Sequence, residues 1–445
     1  MREVTAQTTN QPLRSGDPRY VDVAKGRDTN DLDMLYIHLR NAGTLEDTGT
    51  KVFTKVALTG GRGCGKTTEL FKIEDKLSDE FKSLHLFVDN SLLGDCDYTD
   101  LFLWLVESLA REFEKRGMPL EEKLVSNVTD WFAETTLVEE ERKKEQMNIQ
   151  TEATAEGKVG LYWVKLKLLA RLRSRIEGSV EQRQEIRRKL QNYSAELIDK
   201  VNLLLNNAQQ ILSQKTKKKL LIVQDNLDRL DENTARKLFF ENGEQLKKIN
   251  AHVIYTVPNA IDVAPSRIDV IFENSYIMPT VKIFDQEGKD FETGIDALIK
   301  LVNSRIDIDK VFDSTEVVRY LVKKSGGSMR DLMRLLNYAQ LSAQADNKQT
   351  IDMISAKQGI SKLRVDFERT LVPADVYFGV LVQVNHSKQL KVGTDDSNSI
   401  NRISRYFIDL IDNGSILEYM NDSWWYDVHP IIQETKEFKN ATRQL

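Results

Sequence analysis

The stretch Val56-Ala57-Leu58-Thr59-Gly60-Gly61-Arg62-Gly63-Cys64-Gly65-Lys66-Thr67-Thr68-Glu69-Leu70 decides how the rest of the chain is read. Residues 52–59 alternate and then turn apolar, as a buried strand does, and residues 68–77 carry the spacing of a helix. Between them, Gly60 to Thr67 fits G-x-x-x-x-G-K-[ST] at every position. A loop that turns its N–H groups inward around phosphate oxygens needs glycine where the backbone wraps, because a side chain would be strained there. Lys66 then supplies a point charge to a nucleotide's β- and γ-phosphates, and the Thr67 hydroxyl is placed for Mg²⁺. Thr68 opens the following helix, whose N-terminus adds the positive end of its dipole.

Outward from the loop, Leu84–Val88 reads as a second strand and Tyr98–Phe113 as a helix rich in Leu, Phe and Trp. Strand, helix, strand, helix is the pattern of a parallel α/β sheet. The alternation stops near residue 118, and apolar positions such as Ile186, Leu190, Leu197, Val201 and Leu204 then recur at helical spacing. Residues 139–157, with runs of Glu and Lys, read as a mobile loop. Strand pattern resumes at Leu220–Val223, followed by a helix over 232–248 and a strand from His252 to Val257. Residues 290–360 are helical, broken at Gly326-Gly327, and Ser415–Met420 and Trp424–Val428 form a hairpin across Asn421, Asp422 and Ser423. The expected fold is an α/β P-loop NTPase parallel sheet with a helical insertion, a helical lid and a C-terminal winged-helix domain. Its boundaries fall at 1–118 and 216–289 for the core, 119–215 for the insertion, 290–362 for the lid and 363–445 for the winged helix.

Composition narrows the classes. Of 445 residues, 40% are hydrophobic and 29% charged, which excludes a disordered or fibrous chain. No run approaches the ~18 apolar residues that cross a bilayer, and Met1 to Thr5 lack the apolar core of a signal peptide, so a cytoplasmic protein with no membrane partner is expected. Cys64 and Cys96 are too few for a disulfide framework. The net charge of -5 gives no global field toward nucleic acid. Locally, residues 158–190 hold ten Lys or Arg against three Glu, so phosphate contacts through this stretch stay open beside the plain reading of a solvated helical face.

A phosphate loop needs a carboxylate at the end of a neighbouring buried strand to hold the metal. Leu220-Leu221-Ile222-Val223-Gln224-Asp225 supplies Asp225. Asn226 follows where many P-loop ATPases keep a second acid. An amide positions water but cannot accept its proton, so hydrolysis is expected to be slow unless Asp228 compensates. Asp228 reads equally as the cap of the next helix.

These pieces resemble the AAA+-related signal-transduction ATPases, the STAND group, with a KAP-like Asp-x-Leu-Asp-Arg stretch at residues 225–229. The resemblance implies ATP/ADP and Mg²⁺ as cofactors and an ATPase activity. It implies a polar sensor at Thr256, an Arg330 directed at the nucleotide from Gly326-Gly327-Ser328-Met329-Arg330, and a His429 that reads ADP from the winged helix. Pro430 stands where relatives more often have an acid. Adenine contacts are expected around Tyr20, Val21 and Asp22, and Arg267 is a candidate finger toward a neighbouring subunit.

Two function classes follow. In one the chain is a nucleotide-operated switch that forms a homo-oligomer or controls a separately encoded effector, as in prokaryotic anti-phage defence. In the other it is an initiator- or loader-like AAA+ ATPase that binds DNA through its winged helix or basic insertion. In the candidate recognition helix, Arg402 and Arg405 are offset by Asp409 and Asp412, which speaks against DNA there.

Overall fold

The computed structural model describes residues 2–47, 52–155, 160–261, 268–272, 274–372, 374–389, 397–421 and 423–443. Strands β1 (Lys55–Gly60), β2 (Phe81–Phe87), β3 (Lys219–Asp225), β4 (His252–Thr256) and β5 (Asn274–Met278) form one sheet in the order β2-β3-β4-β1-β5. A hairpin of β6 (Ile416–Met420) and β7 (Trp424–Val428) follows near the C-terminus. Packing divides the chain into two compact units: Met1–Leu35, Thr59–Asp75 and Tyr276–Leu445 make the first, Tyr36–Leu58 and Lys76–Ser275 the second.

In the second unit, β2 runs parallel to β3, β3 to β4 and β4 to β1. Val56, Ala57, Leu58, Leu221, Ile222, Val223, Val253 and Ile254 are all fully buried, as strands covered on both faces must be. The register pairs Gln224 with Tyr255 and Leu58 with Thr256. The last residue of β3, Asp225, therefore falls at the level of Thr256 on β4 and Leu58 on β1.

Five helices fill residues 122–216: Glu122–Thr136, Glu139–Ala155, Leu161–Glu177, Val180–Asn192 and Ser194–Thr216. The second of these occupies the stretch read from sequence as a mobile loop. It is a helix because its acids have partners: Glu141 and Glu145 pair with Arg175, and Glu152 pairs with Lys167 and Arg171, all on the Leu161–Glu177 helix. Ile149 is its fully buried anchor.

The continuous helix expected over 232–248 is broken into Glu232–Arg236, a π-turn at Lys237–Glu241 and Gly243–Lys247. A Cβ on Gly243 would lie 2.5 Å from Ile271 Cγ2, so close packing demands glycine at the restart. Strand β5 was not legible in the sequence, because Asn274-Ser275-Tyr276-Ile277-Met278 has neither an apolar run nor turn residues on both sides.

In the first unit, the helices Glu292–Asn303, Thr315–Lys324, Met329–Ala345 and Met353–Glu368 make up a helical region where the sequence was read as a lid. The helices Ala374–Ser387 and Ser397–Asp412 then lead into the hairpin, the arrangement of a winged helix. The hairpin and the segment after it are tied to the rest of this unit by hydrogen bonds and an ion pair. Thr280 N–H donates to Glu418 O at 3.0 Å, the Tyr419 hydroxyl donates to Gly326 O at 2.6 Å, and Lys324 pairs with Glu434.

Candidate functional site

The glycine loop is built from the first unit. Gly60, Gly63 and Gly65 have φ of 148°, 88° and 99°, which L side chains rarely adopt, so the wrapped backbone expected of a phosphate cradle is present. Space imposes the same choice. A Cβ on Gly60 would lie 2.5 Å from Met278 O, and one on Gly63 would lie 2.6 Å from the Cβ of Arg330. Gly61 has space beyond the Thr280 hydroxyl, 3.8 Å from where a Cβ would stand, and Arg62 is exposed. Cys64 is buried, 4.0 Å through Sγ from Lys66 Nζ. Lys66 opens the helix Lys66–Lys76 and is itself buried, its ammonium donating to Gly60 O at 2.5 Å and Gly61 O at 3.1 Å. The loop's own carbonyls thus hold the cation at the mouth of the cradle. Thr67, next on the helix, is half-buried.

A residue that the sequence reading missed fixes the loop from behind. Arg27 is 1% exposed, and its guanidinium donates to Pro279 O and to Cys64 O, both at 2.6 Å. It clamps the loop to the segment that follows β5. Nothing in its local sequence, Ala24-Lys25-Gly26-Arg27, marks it.

The N-terminal segment lies along the helix Lys66–Lys76. Leu13 N–H donates to the Thr68 hydroxyl at 3.1 Å, and Arg14 stacks on Phe71 at 4.0 Å. Lys72 donates to the Tyr20 hydroxyl at 2.5 Å, and that hydroxyl lies 3.2 Å from Glu69. Burial pushes the Tyr20 phenol up to about 12 and raises Glu69 above the usual carboxylate range. Tyr20 and Thr68 therefore join the N-terminal segment to the loop helix, and Val21 beside Tyr20 is half-buried.

The acidic part is built in the second unit. Asp225 is 1% exposed at the end of β3. Its Oδ1 accepts the Asn226 N–H at 2.7 Å, and its Oδ2 lies 3.3 Å from His85 Nε2 on β2. Asn226 has a φ of 69°, a left-handed conformation that Asn and Gly adopt with least strain. Asp228 sits in the short turn Leu227–Arg229, its N–H donating to the Thr256 hydroxyl at 3.4 Å, and that hydroxyl in turn donates to Gln224 O at 3.4 Å. Thr256 is fully buried and cross-links the ends of β3 and β4. The cap of the next helix is Asp231, which accepts the Thr234 N–H at 3.1 Å, so Asp228 does not serve as that cap. Among the described residues no group of three or more His, Cys, Asp or Glu forms a metal cage. Asp225 in the second unit offers a carboxylate and Thr67 in the first a hydroxyl, donor types that Mg²⁺ takes together with phosphates and water.

The lid helix Met329–Ala345 meets the loop with its first turn. Ser328 caps it, accepting the Asp331 N–H at 3.3 Å. Arg330 covers Gly63, and Met329 Sδ lies 3.5 Å from the Cβ position of Gly65. Asp331, next in the chain, lies through Oδ2 3.7 Å from His429 Nε2. His429 is fully buried against Phe367, with ring centroids 4.7 Å apart, and its Nδ1 accepts the Ile431 N–H at 3.3 Å. Burial holds the imidazole down at about 4 despite the Asp331 carboxylate, so it is neutral at pH 7 with its proton on Nε2, facing Asp331. Arg330 thus touches the glycine loop, whereas His429 packs between the lid and the exit of the hairpin. Arg267 lies outside the described residues.

The basic stretch 158–190 is largely spent in ion pairs. Lys165 pairs with Asp130, Lys167 and Arg171 with Glu152, Arg173 with Glu107 and Glu177, and Arg175 with Glu141 and Glu145. Arg183 and Arg187 pair with Asp95, Arg187 also with the buried Asp100, and Lys189 with Glu185. Most of these acids come from outside the stretch, which is why counting charge along the sequence overstated the field.

The loop, the acid-ended strand and the insertion between them lie within a span that matches a known family. Residues 42–250 match the KAP family P-loop domain. The matched span contains the glycine loop, the five insertion helices and Asp225, so this part is a P-loop NTPase domain, a class that binds nucleotide with Mg²⁺. A search of curated proteins returns no match. Among solved structures, the Walker-type ATPase of Pyrococcus abyssi is 12% identical with a TM-score of 0.41, covering 98% of this chain and 99% of that one. The Aeropyrum pernix ORC2 protein is 10% identical with a TM-score of 0.40, covering 93% of each chain. Cdc6p from Pyrobaculum aerophilum is 11% identical with a TM-score of 0.38, covering 96% and 97%. Among the described residues no helix is long and apolar enough to cross a membrane.

Proposed function

We propose that the chain is an ATP-binding, slowly hydrolysing switch in which the state of the glycine loop sets the position of the C-terminal hairpin module. The observation that carries this reading is one helical turn: Met329 and Arg330 lie on the loop, and Asp331 faces His429 at the hairpin exit. A phosphate in the cradle would draw Lys66 from the carbonyls of Gly60 and Gly61 and engage Arg330. A γ-phosphate and its absence would then favour different seatings of the lid, since a ligand shifts an equilibrium only through its differential affinity for the two states. Mg²⁺, for which the loop motif points to Thr67 and the acid-ended strand to Asp225, would neutralise charge on the phosphates. Asn226 supports slow turnover, because beside Asp225 it offers an amide and no second carboxylate.

The output would pass to a second copy or to a separately encoded effector, and the STAND-like motifs favour a setting in prokaryotic anti-phage defence. A DNA-loading role finds little support, since the basic side chains it would use in residues 165–189 are mostly paired with acids.

The experiment is a comparison of ADP and ATP affinities in the wild type and in Asp331→Asn, which alters the face toward His429. Because coupling is reciprocal, the ratio of the two affinities changes by about fivefold or more if loop and hairpin are linked. An unchanged ratio in a folded variant contradicts the switch.

A further inference from the structure

We infer that His85 is a positioning residue for the metal-holding carboxylate: it donates from Nε2 to Asp225 Oδ2 and fixes the rotation of that carboxylate for Mg²⁺. The inference rests on the reading of Asp225 as the carboxylate that holds Mg²⁺. It adds a residue that no motif in the sequence marks.

The placement follows from strand register. In the β2–β3 pair, Phe87 stands opposite Asp225 and His85 opposite Val223. Side chains two apart on a strand share a face, so His85, Phe87 and Asp225 project from the same side of the sheet. His85 stacks on Phe87 with ring centroids 4.4 Å apart and planes 29° from parallel, which limits the rotation of the imidazole. The side chains of His85 and Asp225 are 8% and 1% exposed.

The chemistry of the pair then follows. A carboxylate this buried needs hydrogen-bond donors to remain charged. Asp225 has a separate donor on each oxygen, the Asn226 N–H on Oδ1 at 2.7 Å and His85 Nε2 on Oδ2 at 3.3 Å. Donors on the two different oxygens define the plane of the carboxylate. Outer donors of this kind orient a metal ligand without touching the metal, and their loss typically costs about 10–100-fold in metal affinity. His85 therefore acts on Mg²⁺ only through Asp225.

The test measures ATP affinity by equilibrium titration across Mg²⁺ concentrations and in EDTA, in the wild type, His85→Phe and His85→Gln. Phenylalanine keeps a ring on Phe87 and removes the donor, and glutamine restores an N–H near the position of Nε2. The expected result is a rise of about tenfold in the Mg²⁺ concentration needed for half-maximal tightening in His85→Phe, with ATP affinity in EDTA within about twofold of wild type and recovery to within about threefold in His85→Gln. Wild-type Mg²⁺ dependence in folded His85→Phe overturns the inference, as does an equal defect in both variants. A histidine-nitrogen NMR spectrum of the wild type keeps the question open to decision if His85→Phe does not fold: a shift of His85 Nε2 on adding Mg²⁺ to the ATP complex supports the coupling, and none contradicts it. If wild-type affinity is the same with and without Mg²⁺, the reading of Asp225 fails first, a result distinct from failure of His85 alone.

Discussion

Arg330 lies on Gly63 so closely that a Cβ added to the glycine would stand 2.6 Å from the Cβ of the arginine. The first turn of a lid helix and the wrapped backbone of a phosphate loop therefore share one packing surface, and neither can shift without the other adjusting.

Gly63→Ala tests that surface. The substitution meets Arg330 and also forces an L side chain to a φ of 88°, at about 1–2 kcal/mol. ATP affinity is expected to fall by about tenfold or more in calorimetric titration. Adding Arg330→Ala relieves the collision but not the backbone strain, so the double variant recovers only part of the loss. Wild-type affinity in Gly63→Ala would show that the lid yields freely.

Asn226 has two roles that substitutions separate. Its φ of 69° suits Asn, Asp and Gly, while Glu pays about 1 kcal/mol or more for the same backbone. Asn226→Asp is expected to raise steady-state ATP turnover several-fold by adding a base beside Asp225. Asn226→Gly is expected to retain stability without that gain, and Asn226→Glu to lower the melting temperature. An unchanged rate in Asn226→Asp assigns the attacking water to another group.

The Arg27 clamp predicts a stability effect with a local signature. Replacing this buried guanidinium by Leu leaves Pro279 O and Cys64 O without its donors, at about 1–3 kcal/mol for each acceptor left unpaired. Arg27→Leu is expected to lower the denaturant midpoint and to increase hydrogen exchange at residues 60–67 before the rest of the unit. Arg27→Lys, with one ammonium for two carbonyls, is expected to recover part of the loss. Wild-type exchange at the loop in Arg27→Leu would contradict the clamp.

His429 gives a pH dependence whose sign is fixed. Its folded value of about 4 lies below the usual 6.5, because burial outweighs the attraction of Asp331. Above pH 6.5 the ring is neutral in both folded and unfolded chains and its contribution is complete. As pH falls from 6.5 toward 4, the unfolded chain takes up a proton that the folded chain refuses, and stability drops by on the order of 3 kcal/mol. His429→Gln removes that proton uptake, so the difference in stability between wild type and variant is expected to change across this window and flatten above it. A difference independent of pH would mean that folding leaves the proton affinity of His429 unchanged, against the burial that lowers it.

What the sequence carried was what local spacing can carry. The glycine loop, β3 with its terminal acid and the hairpin of β6 and β7 each depend on residues adjacent in the chain, and each was read where it stands. The Glu139–Ala155 helix was misread because its hydrophobic periodicity is absent and its acids are matched to Arg175, Arg171 and Lys167 on another helix. Those pairs, together with others to Asp95, Asp100, Glu107 and Asp130, removed most of the apparent basic field of residues 158–190. His85 and Arg27 were invisible for a related reason: one acquires meaning through the register of β2 on β3, the other through carbonyls 37 and 252 residues away. Asp228 was left between two readings, and the cap proved to be Asp231 three positions on.

Hydrogen exchange of the full chain, measured without nucleotide, with ADP and with ATP, tests the central claim most directly. The account predicts that ATP protects residues 60–67 and changes exchange at residues 326–332 and 415–430 in a way that ADP does not reproduce. Protection of residues 60–67 by both nucleotides, with identical exchange across the lid turn and the hairpin, would contradict it.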